Sequence, residues 1–169
     1  MDQVAPSTST TDGDHLGSSD SLLVDYSKIG RYIVLRLLGE GAMGRVFAAY
    51  DMQLDRKVAV KVLRADVVSA NLRERTLREA KALAKLSHPN VVQVYEVGEH
   101  KNQLYMALEY IEGHNLRTWE RHQARSWRQI VDVIIEVGHG LQAAHAIGLV
   151  HRDVKPDNIL VGRDGRARI

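Results

Sequence analysis

The sequence predicts an α+β fold, with an antiparallel five-stranded lobe carrying one packed helix, followed by the start of a helical lobe. Three observations predict it. Short runs rich in β-branched and aromatic residues fill the stretch from Arg31 to Tyr110, a single helical pattern interrupts them, and beyond about Leu116 the apolar spacing changes from two residues to three and four.

The β-rich runs are 32–38, 45–50, 57–63, 91–99 and 103–110. Turn formers join them at Gly39-Glu40-Gly41, at 51–56 and at 98–102, and connections this short favour antiparallel neighbours. Between the third and fourth runs, Asn71 is placed to cap a helix reaching about Leu86. Its Leu72, Leu77, Ala80, Leu83, Ala84 and Leu86 form a face too apolar for a free helix, so it must pack on the sheet. Ser87-His88-Pro89-Asn90 stops it.

Residues 111–115 predict a short extended connection, then a brief helix over 116–124 and a longer one over 126–147. In the longer helix Trp127, Val131, Ile134, Gly138, Leu141 and His145 recur at helical steps, and Ile130, Ile135, Val137 and Ala144 widen the apolar surface. Such a helix is normally buried on most sides.

Charge divides the 169-residue chain unevenly. Residues 1–28 are rich in Ser and Thr and hold five Asp against one Lys, which predicts a disordered acidic tail. Taking that −4 from the chain's +2 leaves +6 on residues 29–169. This balance suits anionic ligands, but it is diffuse and no nucleic-acid motif accompanies it, so no nucleic-acid partner is expected. The lack of cysteine excludes disulfides and thiol chemistry and fits a reducing compartment. No run nears the ~18 apolar residues of a membrane span and no signal-peptide pattern opens the chain, which predicts a soluble, cytoplasmic product. The histidines at 15, 88, 100, 114, 122, 139 and 145 form no metal-ligand cluster, and CxxC, HExxH and GxSxG are all absent.

Three constellations carry chemistry. The first is Gly39-Glu40-Gly41-Ala42-Met43-Gly44-Arg45-Val46, where glycines let the backbone turn tightly and bring N–H groups to phosphate oxygens. An ordinary glycine-rich hairpin has the same pattern. A dinucleotide fold would place a helix directly after the glycines, whereas 45–50 reads as strand, and no Gly-Lys-Ser/Thr follows as in a Walker loop. The second is Val58-Ala59-Val60-Lys61-Val62-Leu63, whose alternation sets Ala59 and Lys61 on one face. A buried ammonium needs a partner, and Glu79, on the helix's apolar face, is the candidate; a lysine snorkelling from the strand is the alternative. The third is His151-Arg152-Asp153-Val154-Lys155-Pro156-Asp157-Asn158, followed by Ile159-Leu160-Val161, which gathers a candidate base, a cation and a metal ligand.

Taken in order and in context, these motifs resemble the eukaryotic-like Ser/Thr protein kinases of bacteria over about Arg31 to Ile169. The resemblance implies an N-lobe over 29–110, a hinge over 109–115 and a partial C-lobe over 116–169, with ATP between the lobes and a protein Ser or Thr hydroxyl as acceptor. It also implies roles. Asp153 would take the hydroxyl proton, Lys155 would offset phosphoryl charge, Asn158 would bind Mg²⁺, and a Lys61–Glu79 pair would hold the α- and β-phosphates. His151 would support the loop, and Arg152 would pair with a phosphorylated activation loop. Leu38, Val46, Ala59 and Leu160 would enclose the adenine, Leu108 is the gatekeeper, and Glu109 and Ile111 would offer hinge main-chain groups. Taken singly, each of these apolar residues fits an ordinary core position equally well.

The family continues from this point into Asp-Phe-Gly, whereas only eleven residues follow Asn158. The literal chain is therefore expected to lack a principal Mg²⁺ ligand and to be inactive, either as a fragment of a longer receptor-type kinase or as a non-catalytic nucleotide-binding or interaction module. An uncovered apolar helix at 126–147 is also expected; leaving ~300 Å² bare forfeits about 7 kcal/mol, enough to destabilise the C-terminal part.

Overall fold

The computed structural model describes residues 27–42, 44–64 and 70–169, with backbone only at 70–73, 75 and 76. The acidic tail over 1–26, Met43 and the side chains of Asn71 and Leu72 lie outside the described residues.

Six strands form the N-terminal sheet: β1 (Lys28–Ile29), β2 (Tyr32–Gly41), β3 (Gly44–Asp51), β4 (Arg56–Leu63), β5 (Val94–His100) and β6 (Gln103–Glu109), in the order β1-β2-β3-β4-β6-β5 with antiparallel neighbours. Five were expected. The sixth arises because Gly30, at φ +56°, turns the chain so that Lys28 pairs with Ile33 and Ile29 with Tyr32. Ile29 and Tyr32 are fully buried, and β1 takes in Lys28, the last residue assigned to the tail.

Alternation along β4 sends Val58, Val60 and Val62 into a core with Ile29, Tyr32, Phe47, Ala49, Tyr105 and Ala107. Ala59 and Lys61 fall on the opposite face and are half-buried. Under this core, the hydroxyls of Tyr32 and Tyr105 both donate to Glu96, at 2.9 and 2.6 Å, and Arg31 bridges Glu96 and the fully buried Asp51. Burial, reinforced by the bond to Glu96, pushes the Tyr32 phenol up to about 12; the same causes push Tyr105 up as well. A raised folded-state value means stability that is whole below the unfolded tyrosine value of about 10 and is lost as pH climbs through 12. Absorbance titration at alkaline pH should therefore show Tyr32 and Tyr105 ionising last, together with loss of the N-terminal sheet; ionisation with the exposed tyrosines would contradict this.

Helix α1 (Ala70–Leu83) packs its buried Ala80 toward β5. It starts one residue before the expected cap, which places Asn71 inside the helix. It also ends short of Leu86, because the amides of Lys85 and Leu86 bond three residues back, to Ala82 and Leu83, in tightened turns before Pro89. Asn90, a buried polar residue, then joins the two parts of the chain. Its side-chain amide donates to the Ala167 carbonyl at 2.9 Å and its carbonyl accepts from Ile169 N at 3.0 Å.

Beyond the sheet come β7 (Gly113–Asn115), α2 (Leu116–His122), α3 (Trp127–Ala146), a 3₁₀ turn (Pro156–Asn158), β8 (Leu160–Gly162) and β9 (Ala167–Arg168). The expected plain connection at 111–115 contains β7, which pairs with β8 and completes a three-stranded sheet β7-β8-β9. Asn115 caps α2 by accepting from Thr118 N at 2.8 Å. Ser126 and Gln129 form a reciprocal capping box at the start of α3. The second core gathers Leu116, Val133, Val137, Ile159, Val161, Ala167 and Ile169. Burial on α3 falls on Val133, Val137, Gly140 and Ala144, while Trp127 is 67% exposed and Val131, Ile134 and Ile135 are also exposed. No helix among the described residues is long and apolar enough to cross a membrane.

Candidate active site

The glycine segment forms the tip of the β2–β3 hairpin, where Gly39, Glu40 and Gly41 pair with Val46, Arg45 and Gly44. Cβ atoms added at Gly39 or Gly41 would meet nothing within 4 Å. Gly44 differs. Its φ is +145°, and a Cβ there would overlap the Val62 carbonyl oxygen of β4, so only glycine lets the strands close at this point. Glu40 and Arg45 face each other across the tip in an ion pair of 3.1 Å, beside Ala42.

Register places the next residues. Val46 lies opposite Lys61 and Ala59 opposite Leu108, so the nucleotide candidates of β3, β4 and β6 share one patch of sheet. Leu38 on β2 is 40% exposed, and Leu108, Glu109 and Ile111 are half-buried where the chain leaves β6. The Glu109 amide donates to the Gln93 carbonyl at 2.8 Å. Leu160 opens β8 and pairs with Asn115 and Arg168.

The segment 151–158 is built around Asp153. Lys155 Nζ reaches Asp153 Oδ2 at 2.8 Å, and the Asn158 amide nitrogen donates to the same oxygen at 2.9 Å and to the Asp153 carbonyl at 2.8 Å. The bonds from Lys155 and Asn158 hold the Asp153 carboxyl below the ordinary carboxylate range. The amide nitrogen of Asn158 is thus occupied at Asp153, which leaves its carbonyl oxygen as a hard-cation ligand. Arg152 takes a left-handed φ of +63°, and Asp153 N donates to His151 Nδ1 at 3.3 Å. His151 is therefore an acceptor that supports the loop backbone, and partial burial depresses its imidazole value. Asp157 forms a two-point pair with Arg117 of α2, at 2.8 and 2.9 Å, which fixes the 3₁₀ turn.

Burial lowers the Lys61 ammonium value, while the charge of Asp153 opposes that shift and that of Lys155 adds to it. The expected Lys61–Glu79 ion pair is not formed. Glu79 instead pairs with Arg152 at 3.6 Å, and both side chains are about half exposed.

Sequence reasoning missed Arg168, Asp164 and Asn90. Arg168 is a buried arginine inside a short strand, between the buried Ala167 and Ile169. The only signal for it was an Ala-Arg-Ile run in which all three side chains would have to be accommodated.

Comparison with known proteins fits this geometry. Residues 32–169 match the protein kinase domain family. The chain is 40% identical over 147 residues to the serine/threonine-protein kinase PknA of Mycobacterium tuberculosis, covering 83% of this chain and 34% of that one. It is 36% identical over 142 residues to the serine/threonine-protein kinase PrkC of Bacillus subtilis, covering 83% and 22%. The crystal structure of the PknI kinase domain of M. tuberculosis superposes with a TM-score of 0.73 at 31% identity, covering 84% of this chain and 59% of that domain. The chain belongs to the protein kinase domain family. It spans about a third or less of the length of these curated relatives.

Proposed function

We propose that these residues form the nucleotide-binding lobe and catalytic loop of an ATP-dependent protein serine/threonine kinase working in the cytoplasm, with Mg²⁺ as cofactor. The observation that carries this reading is the Asp153 carboxylate, bonded to both Lys155 and Asn158. The open tip at Gly39 and Gly41 suits phosphate oxygens, and the face bearing Val46, Ala59 and Leu108 suits a flat ring.

In this reading Asp153 accepts the proton of a Ser or Thr hydroxyl and aims its oxygen, and Lys155 draws charge from the transferring group. Magnesium, when bound, neutralises phosphate charge, and the Asn158 carbonyl oxygen would hold it. Lys61 binds the α- and β-phosphates. Its support by Glu79 requires that Glu79 leave Arg152.

A calorimetric titration with MgATP tests the pocket. Lys61→Met removes a charge-assisted contact and should weaken binding about 10- to 100-fold. Equal affinity of the two proteins would remove Lys61 from the site.

A further inference from the structure

We propose that Arg168 is a positioning residue for the adenine: it clamps the hinge residue Glu109 to the β8–β9 turn and so fixes the hinge backbone. The proposal rests on the nucleotide-binding reading above and adds to it a device distinct from the phosphate contacts.

Arg168 is a buried charged residue. Its side chain is 10% exposed, and its guanidinium serves two carboxylates. Two nitrogens meet Asp164 in the β8–β9 turn, at 2.6 and 3.1 Å, and Nε faces Glu109 at 3.4 Å. The planar fork suits this division, since a lysine could serve only one of the two acids with the same geometry.

Hairpin closure does not need the arm that reaches Glu109. β8 and β9 are already joined by the Leu160–Arg168 and Val161–Ala167 pairs and by Gly162 N to Arg166 O at 2.9 Å. Ile169 is separately anchored to Asn90 and Val92. The contact with Glu109 therefore does something the hairpin does not require, which is to join it to the segment leaving β6.

Glu109 is gripped from both sides. Its amide donates to Gln93 O at 2.8 Å and one carboxylate oxygen accepts from Gln93 N at 3.5 Å, while the other faces Arg168. One side of the grip is Gln93, which immediately precedes β5, and the other is the strand pair holding Leu160, two residues after Asn158. The clamp thus sets the hinge main chain relative to both the ring-facing Leu160 and the metal-ligand candidate. Asp164 supports it at any ordinary pH, because Arg168 depresses its carboxyl to about 2.

Calorimetric titration of the full-length protein with MgATP and with ADP tests the clamp, using Arg168→Met, Glu109→Gln and the double variant. Each single change should weaken both nucleotides by about tenfold, equally for ATP and ADP because the hinge and not the phosphates is displaced. The double variant should be no worse than about tenfold, because both changes break one contact. Unchanged nucleotide affinity in either variant, with only the melting temperature lowered, would reduce Arg168 to a structural ion pair and overturn the proposal. If Arg168→Met does not fold, the isosteric Glu109→Gln decides alone. Wild-type protein that binds no MgATP would remove the nucleotide site and the clamp together, whereas wild-type binding with unaffected variants removes only the clamp.

Discussion

Replacing Asp153 by asparagine should lower phosphoryl transfer by about 10²- to 10⁴-fold, the range for loss of a positioned proton acceptor, while MgATP still binds. The carboxylate is the common partner of Lys155 and Asn158, both of which approach Oδ2 within 2.9 Å. An amide at this position cannot take up the hydroxyl proton, and it gives Lys155 no formal charge to pair with. It keeps the size of the side chain and one acceptor oxygen, so the 3₁₀ turn and its Arg117–Asp157 brace should persist. A drop in rate at unchanged nucleotide affinity is the signature of an interaction made in the transition state. Because the acid form of Asp153 is disfavoured by its neighbours, the wild-type base should stay ionised into moderately acidic solution, and activity should fall only as pH drops below the ordinary aspartate value.

Replacing Gly44 by alanine should damage the fold and the site together. The added Cβ would overlap the Val62 carbonyl oxygen at a φ of +145°, and neither the backbone of β3 nor that of β4 can move without breaking the Gly44–Leu63 end of their ladder. Strain of this kind costs on the order of 2 kcal/mol, which for a lobe of this size lowers the melting temperature by roughly 10 °C. The Glu40–Arg45 pair at the hairpin tip should loosen with it, and nucleotide affinity should fall. Alanine at Gly41, where a Cβ meets open space, should leave the melting temperature within a few degrees of wild type. Thermal melts of the two variants side by side check the contrast; equal melting would show that the tip has room at both positions.

The parts legible in the sequence were those with short-range signals. Alternation in 57–63 correctly separated Val58, Val60 and Val62 from Ala59 and Lys61, and the helical recurrence from Trp127 to His145 matched α3. The 151–158 segment was legible because Asp153, Lys155 and Asn158 meet within a single turn. Contacts between distant segments were not. The Lys61–Glu79 pairing was inferred from the face of a helix, but helix orientation decides which cation Glu79 meets, and here it meets Arg152. The Arg168–Glu109 contact joins residues far apart in the chain, one in a strand too short to show a pattern. The two-residue β1 strand was hidden for the same reason, since a two-residue bridge has no periodicity to read.

The most direct measurement of the central claim is transfer of labelled γ-phosphate from ATP to a protein substrate by the full-length protein, with identification of the labelled amino acid. The account predicts Mg²⁺-dependent label on serine and threonine that is lost in Asp153→Asn. Transfer that persists in that variant, or its absence from wild-type protein that binds MgATP, would contradict it.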